Sequence, residues 1–177
     1  MMTDVNPYAA PHSQTPKPKP TFDDGPKGLG GWLILVIIGV VLSPIRIIIF
    51  SAITFVPLFQ DGTWTSLTSP ESELYSPYWA PILLFEIGGN IFFAIAYIFL
   101  AYLLFTKSRL FPRCYIALAA LNLVFMVVDA VGVSAAFPEI PLFEPDSTRE
   151  IVRGVVSCGI WIPYMLVSKR VQNTFVR

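Results

Sequence analysis

The chain has 177 residues, of which 54% are hydrophobic and only 14% are charged, and its formal net charge at pH 7 is zero. A soluble domain of this length needs about a quarter of its residues charged to cover its surface, so the composition excludes an ordinary globular protein and indicates an integral membrane protein. The zero net charge supplies no basic surface for nucleic acid, which we therefore do not expect as a partner.

The N-terminal 27 residues differ in composition from everything that follows. Residues 1–27 are rich in proline and polar side chains and show no apolar period, with Pro16, Pro18 and Pro20 alternating with lysines. Such a segment cannot bury enough apolar surface to fold by itself. The sequence therefore predicts a disordered tail over residues 1–27 and one membrane domain over residues 28–177.

Four apolar stretches follow the tail. Each is long enough to cross about 30 Å of hydrocarbon as a helix that rises about 1.5 Å per residue. The predicted spans cover residues 29–50, 79–105, 114–137 and 151–168, and Ser147 with Glu150 has the spacing of a capping box before the fourth. The apolar run of the first span continues to Phe59, so that helix is expected to project from the bilayer or to turn along its surface. We predict an all-α fold, a four-helix transmembrane bundle.

Basic residues are distributed unevenly between the two sides of the predicted membrane. Lysine and arginine precede the first span, occupy the turn between spans 2 and 3, and follow span 4, whereas the other two loops contain seven carboxylates and Arg149. Because loops rich in lysine and arginine stay inside the cell, we predict that both termini are cytoplasmic.

Each predicted span contains one ionisable side chain: Arg46, Glu86, Asp129 and Arg153. Counted inward from the outer edge of each apolar run, their depths are about 7, 10, 12 and 3–5 Å in that order. Two positive and two negative charges therefore share the outer half of the bilayer. An isolated charge there costs roughly 2.5–3.5 kcal/mol, so we expect the arginines to face the carboxylates across the bundle interior.

Further polar side chains recur at helical spacing on the faces that carry these charges. This supporting polar stripe consists of Asn90, Tyr97, Asn122, Ser157 and Tyr164. Two interpretations stay open: buried polar contacts that fix helix rotation, and a pocket or proton-responsive site that opens outward. Glycines on the same spans, at positions 88, 89, 132, 154 and 159, are expected to let helices approach closely.

The motifs of known membrane enzymes are missing from the sequence. No span contains histidine, and no HExxH motif, cysteine cluster or grouping of carboxylates of the metal-site type occurs. We expect no catalytic residues, no metal and no cofactor, and classify the chain as a non-enzyme.

Two segments carry a resemblance to a known family. The entry GLGGWL at Gly28–Leu33 and the closing S-x-R-V-x-x-T-F at Ser168–Phe175, together with Arg46 after Ser43-Pro44, resemble DUF2569, a family of small bacterial four-helix membrane proteins. The likeness covers Lys27 to Val176 and leaves the tail outside. It implies a bacterial inner-membrane location and supplies no catalytic or binding residues.

Two functions are consistent with these features of the sequence. The first is a non-enzymatic accessory or scaffold component that packs, within the lipid bilayer, against another membrane protein or against itself. The second is a small transporter or a solute or proton sensor that uses the layer of four intramembrane charges. A lipid- or quinone-binding protein is a weaker third reading, compatible with the aromatic residues of span 2.

Overall fold

The computed structural model describes residues 27–176, and within that range the chain is helical with no strand. The long helices are α1 (Leu33–Gln60), α3 (Trp79–Phe105), α4 (Phe111–Ala136) and α5 (Pro145–Val167), and the short ones are α2 (Thr63–Thr68) and α6 (Lys169–Thr174). The four long helices are long and apolar enough to cross a membrane. The predicted all-α fold with four such helices is confirmed. The predicted disorder of the tail lies outside the described residues, apart from Lys27.

Helix α1 continues ten residues beyond the end of its predicted span. Its 28 residues measure about 42 Å, which exceeds a hydrocarbon core of about 30 Å. Pro44 and Pro57 lie inside the helix without ending it, and the Ser43 hydroxyl donates to the Gly39 carbonyl at 2.7 Å, one turn earlier. The extension matters for the site because it moves Arg46 from the predicted outer part of a span to the middle of a long helix.

The predicted capping box before the fourth span is wrong. Helix α5 begins at Pro145, with Glu144 as the N-cap residue and no side-chain capping bond. Proline suits the first helical position because its missing N–H is one that the helix leaves unpaired there. Ser147 therefore lies inside the helix and cannot act as its N-cap.

The long helices pack in the order α1, α3, α4, α5. Helix α3 packs against α1 on one side and α4 on the other, α4 packs against α5, and the short α2 contacts α1 and α3. Helices α1 and α5, at the two ends of this series, are not closely packed against each other.

The two chain segments that carry the family resemblance meet at one end of the bundle. The amide of Gly28 donates to the Thr174 hydroxyl at 3.0 Å, and that hydroxyl lies 3.4 Å from the Gly28 carbonyl, to which it donates. Phe111 stacks on Phe175 with ring centroids 4.5 Å apart. We call this contact set, formed by residues 28–33, 109–111 and 168–176, the terminal junction. The end of the bundle that contains it is the terminal end, and the opposite end, with α2, is the far end.

A guanidinium group covers the glycines of the entry segment. A Cβ atom on Gly30 would lie 2.9 Å from Nη1 of Arg170, and Gly31 has a φ of +59° with the same guanidinium within 4 Å. Arg109 Nε donates to the Val176 carbonyl at 2.7 Å, which ties the α3–α4 turn to the end of the chain. Leu33, Leu104 and Phe111 at this end are completely buried. Both described chain ends are therefore fixed to the same end of the bundle.

Glycine permits close helix contact at only some of the predicted positions. At Gly89 an added Cβ would overlap the ring of Phe125, and at Gly154 it would lie 3.2 Å from Cδ1 of Leu123, so the prediction is confirmed there. At Gly88, Gly132 and Gly159 no described atom lies within 4 Å of the added Cβ. The prediction is wrong for these three, because they face away from the neighbouring helices.

Candidate functional site

The four intramembrane charges lie on the four long helices, one to each. Arg46 is about 20 Å from either end of α1, Glu86 is about 10 Å from the start of α3, Asp129 about 10 Å from the end of α4, and Arg153 about 12 Å from the start of α5. Glu86 and Asp129 are half-buried, whereas Arg46 and Arg153 are exposed. Each of these groups therefore lies within a helix that is long and apolar enough to cross a membrane.

The expected pairing of arginines with carboxylates is not formed. Within residues 27–176, no nitrogen of Arg46 or Arg153 lies within 4.0 Å of a carboxylate oxygen. An ion pair does join Arg149 and Asp146 at 3.7 Å, on the exposed first turns of α5. The depth of a side chain does not fix its direction, because two side chains at one depth can still point to different sides of the bundle.

The two carboxylates interact with each other and not, within 4.0 Å, with an arginine of the described residues. Glu86 on α3 and Asp129 on α4 interact electrostatically across the contact between these helices. Arg46 instead lies within electrostatic reach of Tyr97 on α3. Like charges that share a low-dielectric site repel each other, so the four side chains do not neutralise one another inside this chain.

The supporting polar stripe divides into two groups. Tyr97, Asn122 and Ser157 line a cavity of about 180 Å³ that all four long helices enclose. Asn90 does not reach it, because its Nδ2 donates to the Glu86 carbonyl of its own helix at 3.0 Å. Tyr164 packs its ring edge-on against Trp161 with centroids 5.8 Å apart. The structure therefore brings three of the five stripe residues together.

Further residues that line this cavity were missed by the sequence argument. They include Ser43, Tyr115 and Cys158. Tyr115 lies seven residues before Asn122, so the helical spacing used for the stripe would have found it, whereas Cys158 is adjacent to Ser157 and lies outside that spacing. Cys158 is tied to α4, since its thiol donates to the Ala119 carbonyl at 3.6 Å.

The described residues provide charged and hydrogen-bonding side chains but no metal site. Over residues 27–176 no three His, Cys, Asp or Glu side chains come together as a metal site would require.

Outside the spans, Asp61 receives hydrogen bonds from the side chain and the backbone of Thr63, the latter at 3.0 Å, which lower the pKa of its carboxyl below the ordinary value. This bond orders the turn between α1 and α2.

The comparison with protein families identifies the chain. No curated protein matches it, and no solved structure does. One family matches over residues 26–176, which include the terminal junction, the cavity and all four intramembrane charges, and its description is "Protein of unknown function (DUF2569)". The chain therefore belongs to the DUF2569 family.

Proposed function

We propose that this protein is a non-enzymatic accessory component of a bacterial inner-membrane assembly, and that its intramembrane charges dock it to another membrane protein. The observation that carries the proposal is Arg46: it is exposed, it lies at the middle of α1, and it has no carboxylate within 4.0 Å among the described residues. An arginine inside the hydrocarbon of a membrane costs roughly 2.5–3.5 kcal/mol when it has no partner.

The other charges support the same arrangement. Arg153 is also exposed and has no ion-pair partner within residues 27–176, and it lies about 12 Å into α5, where its long side chain can still extend toward the headgroups. Arg46 lies farther from the ends of its helix, about 20 Å from either end of α1. A carboxylate or a row of carbonyls on a partner helix would relieve the charge on Arg46.

The test is photo-crosslinking in native membranes. A photoreactive residue replaces Ile49, which is 54% exposed and lies one turn from Arg46, and a second variant carries it at Ile34, which is 47% exposed near the start of α1. We expect a protein adduct from position 49 and a much weaker one from position 34. Mass spectrometry of the adduct then distinguishes a different membrane protein from a second copy of this chain.

Substitution of Arg46 shows whether the adduct depends on the charge. Arg46→Met should reduce the adduct about tenfold, which corresponds to about 1.4 kcal/mol of association, while Arg46→Lys retains most of it. Membrane abundance of each variant, measured by immunoblot, is the control. The accessory role fails if position 49 yields no protein adduct and native electrophoresis in mild detergent shows monomer alone.

We infer that both termini are cytoplasmic. The proposal is supported by the basic residues that precede α1, occupy the α3–α4 turn and follow α5, and by the terminal junction, which holds both described chain ends at one end of the bundle. Labelling of single cysteines with a membrane-impermeant maleimide tests it. A cysteine at Ser108 should react only after the cells are opened, and one at Ser72 should react in intact cells.

A second candidate function rests on the carboxylates alone. Glu86 and Asp129 are half-buried neighbours on α3 and α4, with no arginine in ion-pairing range among the described residues, and such groups can exchange a proton. A proton sensor or transporter would lose its pH response in Glu86→Gln and Asp129→Asn while its abundance stays normal. If neutralisation only lowers abundance, these carboxylates have a structural role.

A further inference from the structure

The cavity between the four long helices offers hydrogen-bonding groups but no charge. Its volume is about 180 Å³, and its lining contains no Asp, Glu, Lys or Arg. Among the described residues, neither the Tyr115 hydroxyl nor the Asn122 amide has a hydrogen-bond partner, although both line the cavity. Polar groups at this depth are stabilised when something hydrogen-bonds to them, since the surrounding lipid cannot.

The cavity opens sideways between α1 and α5. Gly39 of α1 and Ser157 of α5 line it and are nevertheless exposed, and these two helices are not closely packed against each other. Gly39 lies about 9 Å from the start of α1, and Ser157 about 15 Å from the end of α5. An opening at these depths faces lipid chains and not water, so a molecule that enters here must first dissolve in hydrocarbon.

Size, polarity and access together define the ligand class. Passage through hydrocarbon excludes ions and strongly polar solutes. An apolar cavity of about 150 Å³ accommodates one benzene ring, so about 180 Å³ admits a ring with a small substituent. The polar lining favours a substituent that hydrogen-bonds to Asn122 or Tyr115, and the aliphatic side chains of Val36, Val40 and Leu123 contact the rest.

We propose that this cavity is a binding site for a small neutral amphiphile, a single-ring molecule with one hydrogen-bonding group, which enters from the bilayer between α1 and α5. The site goes beyond the docking role of the intramembrane charges. It uses a different part of the molecule, because none of the four charged residues lines it.

Trp161 provides a direct signal for the test, since its indole lines the cavity. The full chain in lipid nanodiscs is titrated with 4-bromophenol, whose bromine quenches indole fluorescence on contact. We expect a saturable component above the linear quenching caused by partition into lipid, and Trp161→Phe should remove that component.

A variant that obstructs the cavity is decisive. Gly39 lines the cavity and has no described atom within 4 Å of its Cβ position, so we expect the side chain of Gly39→Leu to obstruct the opening between α1 and α5. Gly132→Leu makes the same change on α4 at a glycine that also has open space and does not line the cavity. Saturable quenching should disappear in Gly39→Leu and persist in Gly132→Leu. Linear quenching in the wild-type protein, equal to that of Gly39→Leu, would overturn the proposal.

A second variant keeps the test decisive if Gly39→Leu does not fold. Asn122→Leu preserves the side-chain size and removes its hydrogen-bonding groups, which should weaken 4-bromophenol binding about fivefold. Bromobenzene has no hydrogen-bonding group, so its affinity should not fall in Asn122→Leu. Equal affinities of both probes for wild type and Asn122→Leu would show that the lining does not recognise a polar group and would overturn the assignment.

Discussion

The two ends of the bundle differ in how many of their side chains are buried or bonded within the chain. At the terminal end, Leu33, Leu104 and Phe111 are fully buried, Thr174 bonds to Gly28, and Phe111 stacks on Phe175. Toward the far end few side chains are buried, and the half-buried Glu86 and Asp129 lie without an arginine in ion-pairing range among the described residues. One end is stabilised by the chain's own contacts, and the other contains carboxylates that no described arginine neutralises.

This difference bears on how a small membrane protein is held together. Between lipid-covered helices the hydrophobic effect supplies little driving force, so close packing and hydrogen bonds fix their arrangement. The terminal junction concentrates such contacts between segments at opposite ends of the sequence, since Gly28 and Thr174 are 146 residues apart. The junction therefore closes the helix series at one end, where α1 and α5 do not pack along their lengths. Along the remaining length the four long helices line a cavity.

The largest expected effect tests whether the terminal junction dominates stability. Phe111→Ala removes a fully buried ring from its stack with Phe175, which should lower the free energy of unfolding by about 3 kcal/mol. SDS titration of the protein in mixed micelles measures it. Phe105→Ala is the matched control, because Phe105 lies at the same end but is 60% exposed. Equal losses of unfolding free energy in Phe111→Ala and Phe105→Ala would show that burial at this end does not dominate stability.

A neighbouring pair of glycines tests whether tight packing extends beyond the terminal end. A Cβ at Gly89 overlaps the Phe125 ring, which is stacked on Phe85 with centroids 4.6 Å apart and meets Phe93 edge-on at 5.4 Å. Because these rings restrict its movement, Gly89→Ala should lower the free energy of unfolding by about 2 kcal/mol.

The adjacent Gly88 supplies the control for that substitution. No described atom lies within 4 Å of its Cβ position, so Gly88→Ala should leave the free energy of unfolding unchanged or slightly higher. The same SDS titration applies to both. If Gly88→Ala is as destabilising as Gly89→Ala, the contact with Phe125 does not account for the effect at Gly89.

The sequence predicted the helices of the bundle better than the contacts between them. Apolar length identifies four membrane-spanning helices, and the entry and closing motifs identify the family. Spacing along a helix also predicted that Tyr97, Asn122 and Ser157 share polar faces, and they line one cavity. These properties are local, because a helix fixes its own rise and rotation per residue.

The pairing of the charged side chains could not be predicted in the same way, because it depends on contacts between helices and not on the sequence of one helix. The depth of Arg46 was counted from the end of the apolar run near Phe50, but α1 continues to Gln60. Rotation of each helix about its axis is set by its neighbours, and apolar residues surround these helices on nearly every side, so the sequence carries little signal for rotation. The bond between Gly28 and Thr174 was unforeseen for the same reason, since neither segment indicates its partner.

The smallest expected effect concerns the hydrogen bond that closes the terminal junction. Thr174→Val keeps the side-chain shape and removes the hydroxyl that bonds to Gly28, which should cost about 1 kcal/mol and open the junction about fivefold more often. Trypsin measures the opening, because Lys17 and Lys19 precede proline and resist cleavage, which leaves Lys27 as the susceptible site before α1. We expect cleavage after Lys27 to be about fivefold faster, provided that reclosing outpaces cleavage.

A threonine at the same end of the bundle provides the control for this measurement. The Thr106 hydroxyl is exposed and donates to the Tyr102 carbonyl of its own helix at 2.8 Å, so Thr106→Val removes a hydroxyl without touching the contact between chain ends. Its cleavage rate after Lys27 should match that of the wild-type protein. An unchanged rate in Thr174→Val would mean that the ring stack of Phe111 on Phe175 and the Arg109 bond to Val176 hold the junction closed on their own. The hydroxyl would then contribute to the register of the chain ends and not to their closure.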